Sequence, residues 1–260
     1  MNEMNVKMSL LEQTEWDYLT HHLRLTSTVS SDKERSISAA DLLDEVKSGP
    51  YLDRLASVFE SPNRMVTASL FAKRYAAMLV SSGLYAMTMY DKGLKLSIAN
   101  CHLESTIIDE RWMPNVRLSD VRVTEPTGSD REAWREQVTR SIFGDHLGVV
   151  WRSISKAAKI PRTILWENTA IYVYVLYESR MAEEADEGRR VRVQEDLAYL
   201  TAGAPAELFG ENYNPLAKYY SPKCMVEGVA KPIRPRKTCC FFYQVDEDED
   251  YCNSCPKRRA

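Results

Sequence analysis

No stretch of the 260-residue chain is apolar for long: the longest wholly apolar run is Ala170 to Tyr177, far short of the roughly 20 residues a spanning helix needs. The first residues, Met1 to Leu11, are polar and hold no basic segment followed by an apolar run, so no secretory signal is expected. These two absences predict a cytoplasmic chain without a transmembrane segment. A dominant charge of one sign is also missing. The 34 Lys and Arg against 37 Asp and Glu leave a net charge of −3, too balanced for a global basic field that would hold nucleic acid. Cysteine is scarce, with six in the whole chain, which excludes a small disulfide scaffold. The four histidines, His21, His22, His102 and His146, are scattered and form no H-E-x-x-H zinc motif. Nor is there a G-x-G-x-x-G fingerprint, a P-loop or a G-x-S-x-G elbow, so nicotinamide, nucleotide and serine-hydrolase chemistries have no motif to stand on.

What remains has the make-up of an ordinary globular protein, 44% hydrophobic and 27% charged. Apolar residues at Leu10, Leu11, Trp16, Leu19 and Leu23 predict a helix over 10–25. Ser38 reads as the cap of a helix that stops near Gly49-Pro50, followed by a short helix over 51–60. A long helix is predicted from about Met65 to Leu84 or Tyr90, ended by the Asp91-Lys92-Gly93 turn. Alternation over 94–98 and 116–123 predicts two half-buried strands. Helices follow over about 131–143, 147–158 and 191–200, and Pro161 opens another. The β-branched and aromatic run Ile171 to Tyr177 reads either as a strand or as a buried helix. The expected fold class is α+β: a mostly helical body over 1–220 with a small antiparallel sheet, then an irregular segment over 221–260. That segment has too little apolar content to order itself, and a metal centre would supply what it lacks.

The cysteines are not spread evenly. Four of the six fall between residues 239 and 255, as Cys239, Cys240, Cys252 and Cys255. Four thiolates complete either a [2Fe-2S] cluster or a single zinc ion. Cys252 and Cys255 are spaced to turn two sulfurs toward one metal. Adjacent Cys239 and Cys240 point to opposite sides of an extended segment, a demand that a two-iron centre relaxes. Cys101 and Cys224 read as spare, with Cys224 an alternative ligand. Seven bases (Lys231, Arg234, Arg236, Lys237, Lys257, Arg258 and Arg259) and the acidic run Asp246 to Asp250 surround the cluster. The bases are expected to offset the negative charge of a thiolate-bound centre and the acidic run to lower its potential.

The segment Cys239-Cys240, an aromatic pair with Tyr243, then Cys252-x-x-Cys255-Pro256, resembles the FhuF-type ferric-siderophore reductases. Lys73-Arg74-Tyr75-Ala76, Leu165-Trp166-Glu167-Asn168 and Asn214-Pro215-Leu216 look like further features of that family, and the likeness covers most of the chain from about Met65 onward. The spacer between the cysteine pairs is one residue longer here than is usual in the family, and the acidic run is where the extra residue is expected. The resemblance implies that Cys239, Cys240, Cys252 and Cys255 bind a [2Fe-2S] cluster. It implies one-electron reduction of the ferric ion in a bound siderophore of the hydroxamate or citrate-hydroxamate type, with release of Fe(II). Without a nicotinamide or flavin fingerprint, the electron would come from a separate donor protein. No acid–base residue is required beyond the cluster. Candidate substrate contacts are Lys73 and Arg74 for chelate oxygens, Trp166 for the apolar backbone, Asn168 as a hydrogen-bonding group, and His102 and Arg122. Two other readings stay open: a zinc-stapled binding or regulatory module, and an iron-sulfur electron carrier or redox sensor.

Overall fold

The computed structural model describes residues 7–109, 111–128, 130–226, 230–245 and 251–259. In chain order the helices are α1 (Gln13–His22), α2 (Glu45–Val58), α3 (Arg64–Tyr90), α4 (Arg131–Ile142), α5 (Gly148–Ala158), α6 (Arg162–Val175), the single turn α7 (Ala182–Glu184), α8 (Glu187–Ala198) and α9 (Pro215–Tyr219). The strands are β1 (Lys7–Ser9), β2 (Leu25–Thr26), β3 (Ile37–Ser38), β4 (Gly93–Leu94), β5 (Cys101–Glu104), β6 (Ile107–Ile108), β7 (Arg111–Trp112), β8 (Asn115–Leu118) and β9 (Val123–Glu125). The fold is α+β with a mostly helical body, as the sequence predicts. Among the described residues no helix is long and apolar enough to cross a membrane.

Helix α3 is the axis. Nineteen of its 27 residues are buried, so neighbours cover it on nearly every side. The side chain of Asn63 caps its start by accepting from the Val66 N–H at 3.1 Å. Asp91, in the left-handed conformation at φ 55°, ends it. Small residues let partners approach: a Cβ at Gly83 would lie 2.6 Å from Leu96 Cδ1 and 2.9 Å from Ile142 Cδ1. The most extensive partner of α3 is α6. This settles the ambiguous run Ile171 to Tyr177 as helix, because its aromatic and β-branched side chains pack on α3 and α9. Helix α6 continues through a wider π-type turn over Leu176–Met181. At the far end of α3, Asp196 is fully buried and accepts from Arg131 at 2.7 and 2.8 Å, Arg135 at 3.0 Å and Thr88 at 2.9 Å. That network ties α3, α4 and α8 together.

The described residues form three sheets, ordered β1-β9-β4, β2-β8-β5-β3 and β6-β7. The second is mixed, since β2 runs parallel to β8. The alternating stretch 116–123 is two strands rather than one: β8 and β9 belong to different sheets, and the chain leaves the first at Ser119. Only Leu94 of the 94–98 stretch is in a strand. Helix α2 runs through Gly49-Pro50 instead of stopping there, because Tyr51, Leu52 and Leu55 are fully buried on its far side and outweigh the one hydrogen bond Pro50 forgoes. The predicted cap Ser38 is in β3, and Asp44 caps α2 by accepting from the Val46 N–H at 2.8 Å.

Beyond α9 the described chain is irregular, with one bridge between Cys224 and Ile233 and short 3₁₀ turns at Phe242–Gln244 and Pro256–Arg259. The acidic run Asp246 to Asp250, with the potential-lowering role expected of it, lies outside the described residues.

Candidate functional site

Polar side chains of α3 and α6 hold the cysteine segment against the body. Glu167 and Asn168 sit in a run of α6 that is otherwise apolar from Ile164 to Ala170, apart from Thr169, and both are buried. The Glu167 carboxylate accepts the backbone N–H of Lys237 at 2.6 Å and of Thr238 at 2.7 Å, and also the Thr238 hydroxyl. Asn168 Oδ1 accepts from Arg236 Nη2 at 2.5 Å. Its Nδ2 donates to Ser69 O and Oγ at 3.1 Å, and the Ser69 hydroxyl donates to the Cys240 carbonyl at 2.8 Å. Arg236, only 6% exposed, also joins the two halves of the segment, its N–H donating to Ser254 O at 2.9 Å. Each buried polar group is thereby satisfied.

These anchors bring the four thiols together. Cys240 and Cys255 are buried, and Cys239 and Cys252 are half-buried. A hydrogen bond from Cys252 pulls the Cys240 thiol well below its ordinary range, against burial, and the charges of Lys73 and Arg236 add to the pull. Cys252, as the donor, is pushed up. Burial raises Cys239, and its thiol neighbours Cys255 and Cys240 raise it further. The Phe241 N–H donates to Cys239 Sγ at 3.4 Å from a left-handed residue, φ 61°. This turn directly after the adjacent cysteines is the backbone distortion that their spacing demands. Among the described residues no three His, Cys, Asp or Glu side chains close on one point as a single ion would need. The donor chemistry fits a group spread over two metal atoms: four soft thiols in two neighbouring pairs, flanked by cations that offset negative charge. Of the spare cysteines, Cys101 is in the core, its thiol pushed up to about 12 by burial, and Cys224 is exposed.

A cavity of about 720 Å³ opens beside the segment. One wall is a face of α3 at helical spacing: Leu70, Lys73, Arg74, Ala77, Met78 and Ser81. The second is Tyr172, Val175, Leu176, Ser179 and Arg180 from α6 and its π-type turn. Arg24, Arg111, Met113 and Pro114 close a third side, and Phe242 brings the cysteine segment itself to the wall. Lys73 belongs to both places: its Nζ lies 3.6 Å from Cys240 Sγ and 5.2 Å from the centre of the Phe242 ring.

Of the residues singled out from the sequence, the structure brings Lys73 and Arg74 to this cavity and leaves four elsewhere. Trp166 is fully buried, its indole N–H donating to Glu211 at 3.0 Å, so it is a core residue. Asn168 is the buried anchor just described. His102 bonds Ser119 Oγ at 2.9 Å and lines a different groove with Lys33, Lys47 and Arg54. Arg122 is on the surface, paired with Asp120 at 2.7 Å. Sequence reasoning named Glu167 and Phe242 only within stretches of family likeness and gave them no role, and it passed over Ser69, Arg24, Arg111 and Arg180. A carboxylate inside an apolar helical run was the available signal for Glu167. The cavity arginines carry none, because they come from segments far apart in the chain.

No curated protein matches the chain. Two family models do. The model described as FhuF 2Fe-2S C-terminal domain matches residues 236–257, which span all four clustered cysteines, so the cofactor of the segment is a [2Fe-2S] cluster. The model described as Ferric iron reductase FhuF-like transporter matches residues 69–216, more than half of the chain and most of both helical walls of the cavity, and by that match the chain belongs to the FhuF-like ferric iron reductase family.

Proposed function

We propose that the chain is a cytoplasmic ferric-siderophore reductase in which Cys239, Cys240, Cys252 and Cys255 ligate the cluster and the adjoining cavity receives the ferric chelate. The observation that carries this reading is the shared wall: Lys73 and Phe242 line the cavity, and Lys73 Nζ is 3.6 Å from Cys240 Sγ. When bound, the [2Fe-2S] group supplies a single electron. The ferric ion in its siderophore is the substrate. As Fe(II) it is softer and less charged, so hydroxamate and carboxylate oxygens hold it more weakly and it leaves without the chelator being cut. The protein's own task is to hold the chelate against the thiolate side of the cavity and to stabilise charge there. Lys73 and Arg74 face chelate oxygens, and Tyr172 and Val175 offer apolar surface to its backbone. No dinucleotide-binding motif is present in the sequence, which supports a separate electron-donor protein.

The experiment uses protein purified without oxygen. It is expected to show the visible bands of an iron-sulfur centre. After chemical reduction, addition of a ferric siderophore restores the oxidised spectrum, and an Fe(II)-specific chelator traps about one iron per cluster. A reduced spectrum that stays unchanged for hours with excess ferric siderophore overturns the reading.

A further inference from the structure

Half-buried arginines elsewhere in the described chain meet carboxylates: Arg117 meets Glu104, Arg131 and Arg135 meet Asp196, and Arg234 meets Glu178. Among the described residues, five cations around the cavity do not. Arg24 donates to Met113 O at 3.2 Å, Arg74 to Trp112 O at 2.8 Å and Arg180 to His22 O at 3.3 Å, all neutral carbonyls. Lys73 reaches the Cys240 sulfur and the Phe242 ring, and Arg111 is exposed at the mouth. Burial disfavours the Arg74 charge; Tyr172 offsets this in part, and Arg111 disfavours the charge further. Two carboxylates line the same cavity, Glu183 and Glu184. Glu184 is already engaged by the hydroxyls of Tyr18 and Tyr85, at 2.5 and 2.7 Å. The cavity therefore holds more positive charge than its own acids neutralise, and part of it is withdrawn from water. Such charge is costly until an anion pairs with it.

We propose that the cavity selects ferric chelates of net negative charge, citrate-hydroxamates whose free carboxylates pair with Arg74 and Arg111, over neutral trihydroxamates. The inference rests on the reading of the cavity as the chelate site. In a neutral trihydroxamate complex the three anionic oxygens cancel the charge of the ferric ion, and no net charge is left for a guanidinium to pair with. A citrate-hydroxamate complex keeps negative charge, which planar guanidinium groups grip in bidentate fashion. The same cations shield an anionic chelate from the negative thiolate-bound centre that it must approach.

The test separates binding from electron transfer by using gallium(III) complexes, which keep the charge and shape of the ferric ones and are redox-inert. A citrate-dihydroxamate and a linear neutral trihydroxamate complex are each titrated into the cluster-loaded protein at low and high NaCl. The anionic complex is expected to bind about tenfold tighter or more at low salt, with the preference shrinking at high salt. Arg111→Gln is the informative variant, because that side chain is exposed and supports no packing. It should weaken the anionic complex about tenfold and leave the neutral one unaffected. Arg122→Gln, outside the cavity, should change neither. Equal affinity for the two complexes, a preference for the neutral one, or an Arg111→Gln protein that binds both as before overturns the proposal. If the neutral ferric chelate meanwhile reoxidises the reduced protein, the reductase reading stands without the charge selection. If neither gallium complex binds and neither ferric chelate reoxidises the protein, both readings fail.

Discussion

His146 is fully buried between two partners. The Leu96 carbonyl, 2.6 Å from Nδ1, can only accept, so Nδ1 carries the proton and Nε2 accepts from the Tyr75 hydroxyl at 2.6 Å. Burial pushes the imidazole down to about 4 from its ordinary 6.5, and the folded chain holds it neutral. In the unfolded chain the same ring takes up a proton as pH falls below 6.5. Its contribution to stability is therefore complete above pH 6.5 and is lost progressively down to pH 4, by about 3 kcal/mol in all. Urea unfolding at pH 7 and pH 5 should show a drop of about 2 kcal/mol traceable to this residue. His146→Gln, which keeps a donor and an acceptor without the titration, should show a correspondingly flatter dependence. Equal slopes in both proteins would remove the histidine from the account.

At the scale of the element, α6 does two jobs on two faces. One face packs into the core through Trp166 and Ala170, and the other presents Glu167 and Asn168 to the cysteine segment. Glu167→Gln keeps the shape but loses the charge that accepts two N–H groups and a hydroxyl and lies 3.9 Å from Arg236. It should loosen the docked segment by about 1–3 kcal/mol. Bleaching of the visible bands by an external iron chelator should then run about tenfold faster or more, and an unchanged rate would show that Glu167 does not hold the segment. Helices α3, α4, α5 and α8 were legible in the sequence, whereas only the start of α6, at Pro161, was, its aromatic run reading equally as strand. Spacing could not say which face of α6 meets the core, which is why Trp166 reads as a substrate contact and its neighbour Glu167 is given no role. Local turn signals misled at Pro50, where burial of Tyr51, Leu52 and Leu55 outweighs the proline. Along β8 and β9 the alternation was real, but one continuous pattern served two sheets. The four cysteines were legible because their clustering is a property of the chain itself. The cavity was not, because its walls meet only after folding.

Across the whole molecule the apolar core is built almost wholly from the body; from the tail, Phe241 and Val245 pack against it while half-buried. The tail is attached through polar contacts, those of Glu167, Asn168 and Ser69 and the pairing of Glu178 with Arg234 and Lys223, and through the group that joins its thiols. Stripping the iron should therefore open residues 221–260 to protease while the body up to α9 resists. Mass spectrometry of the limit digest checks this, and simultaneous digestion of both parts would show one cooperative unit instead. The position of Lys73 has a wider consequence. One ammonium group lies 3.6 Å from the Cys240 sulfur and lines the adjoining cavity, so under the proposed function a change in it would alter both the driving force for reduction and the range of chelates admitted. Within a lineage, iron-source preference and midpoint potential would then change together through this residue. Under the proposed function, a switch of siderophore made here would shift the potential of the cluster as well, whereas one made at Arg111 would change chelate preference alone.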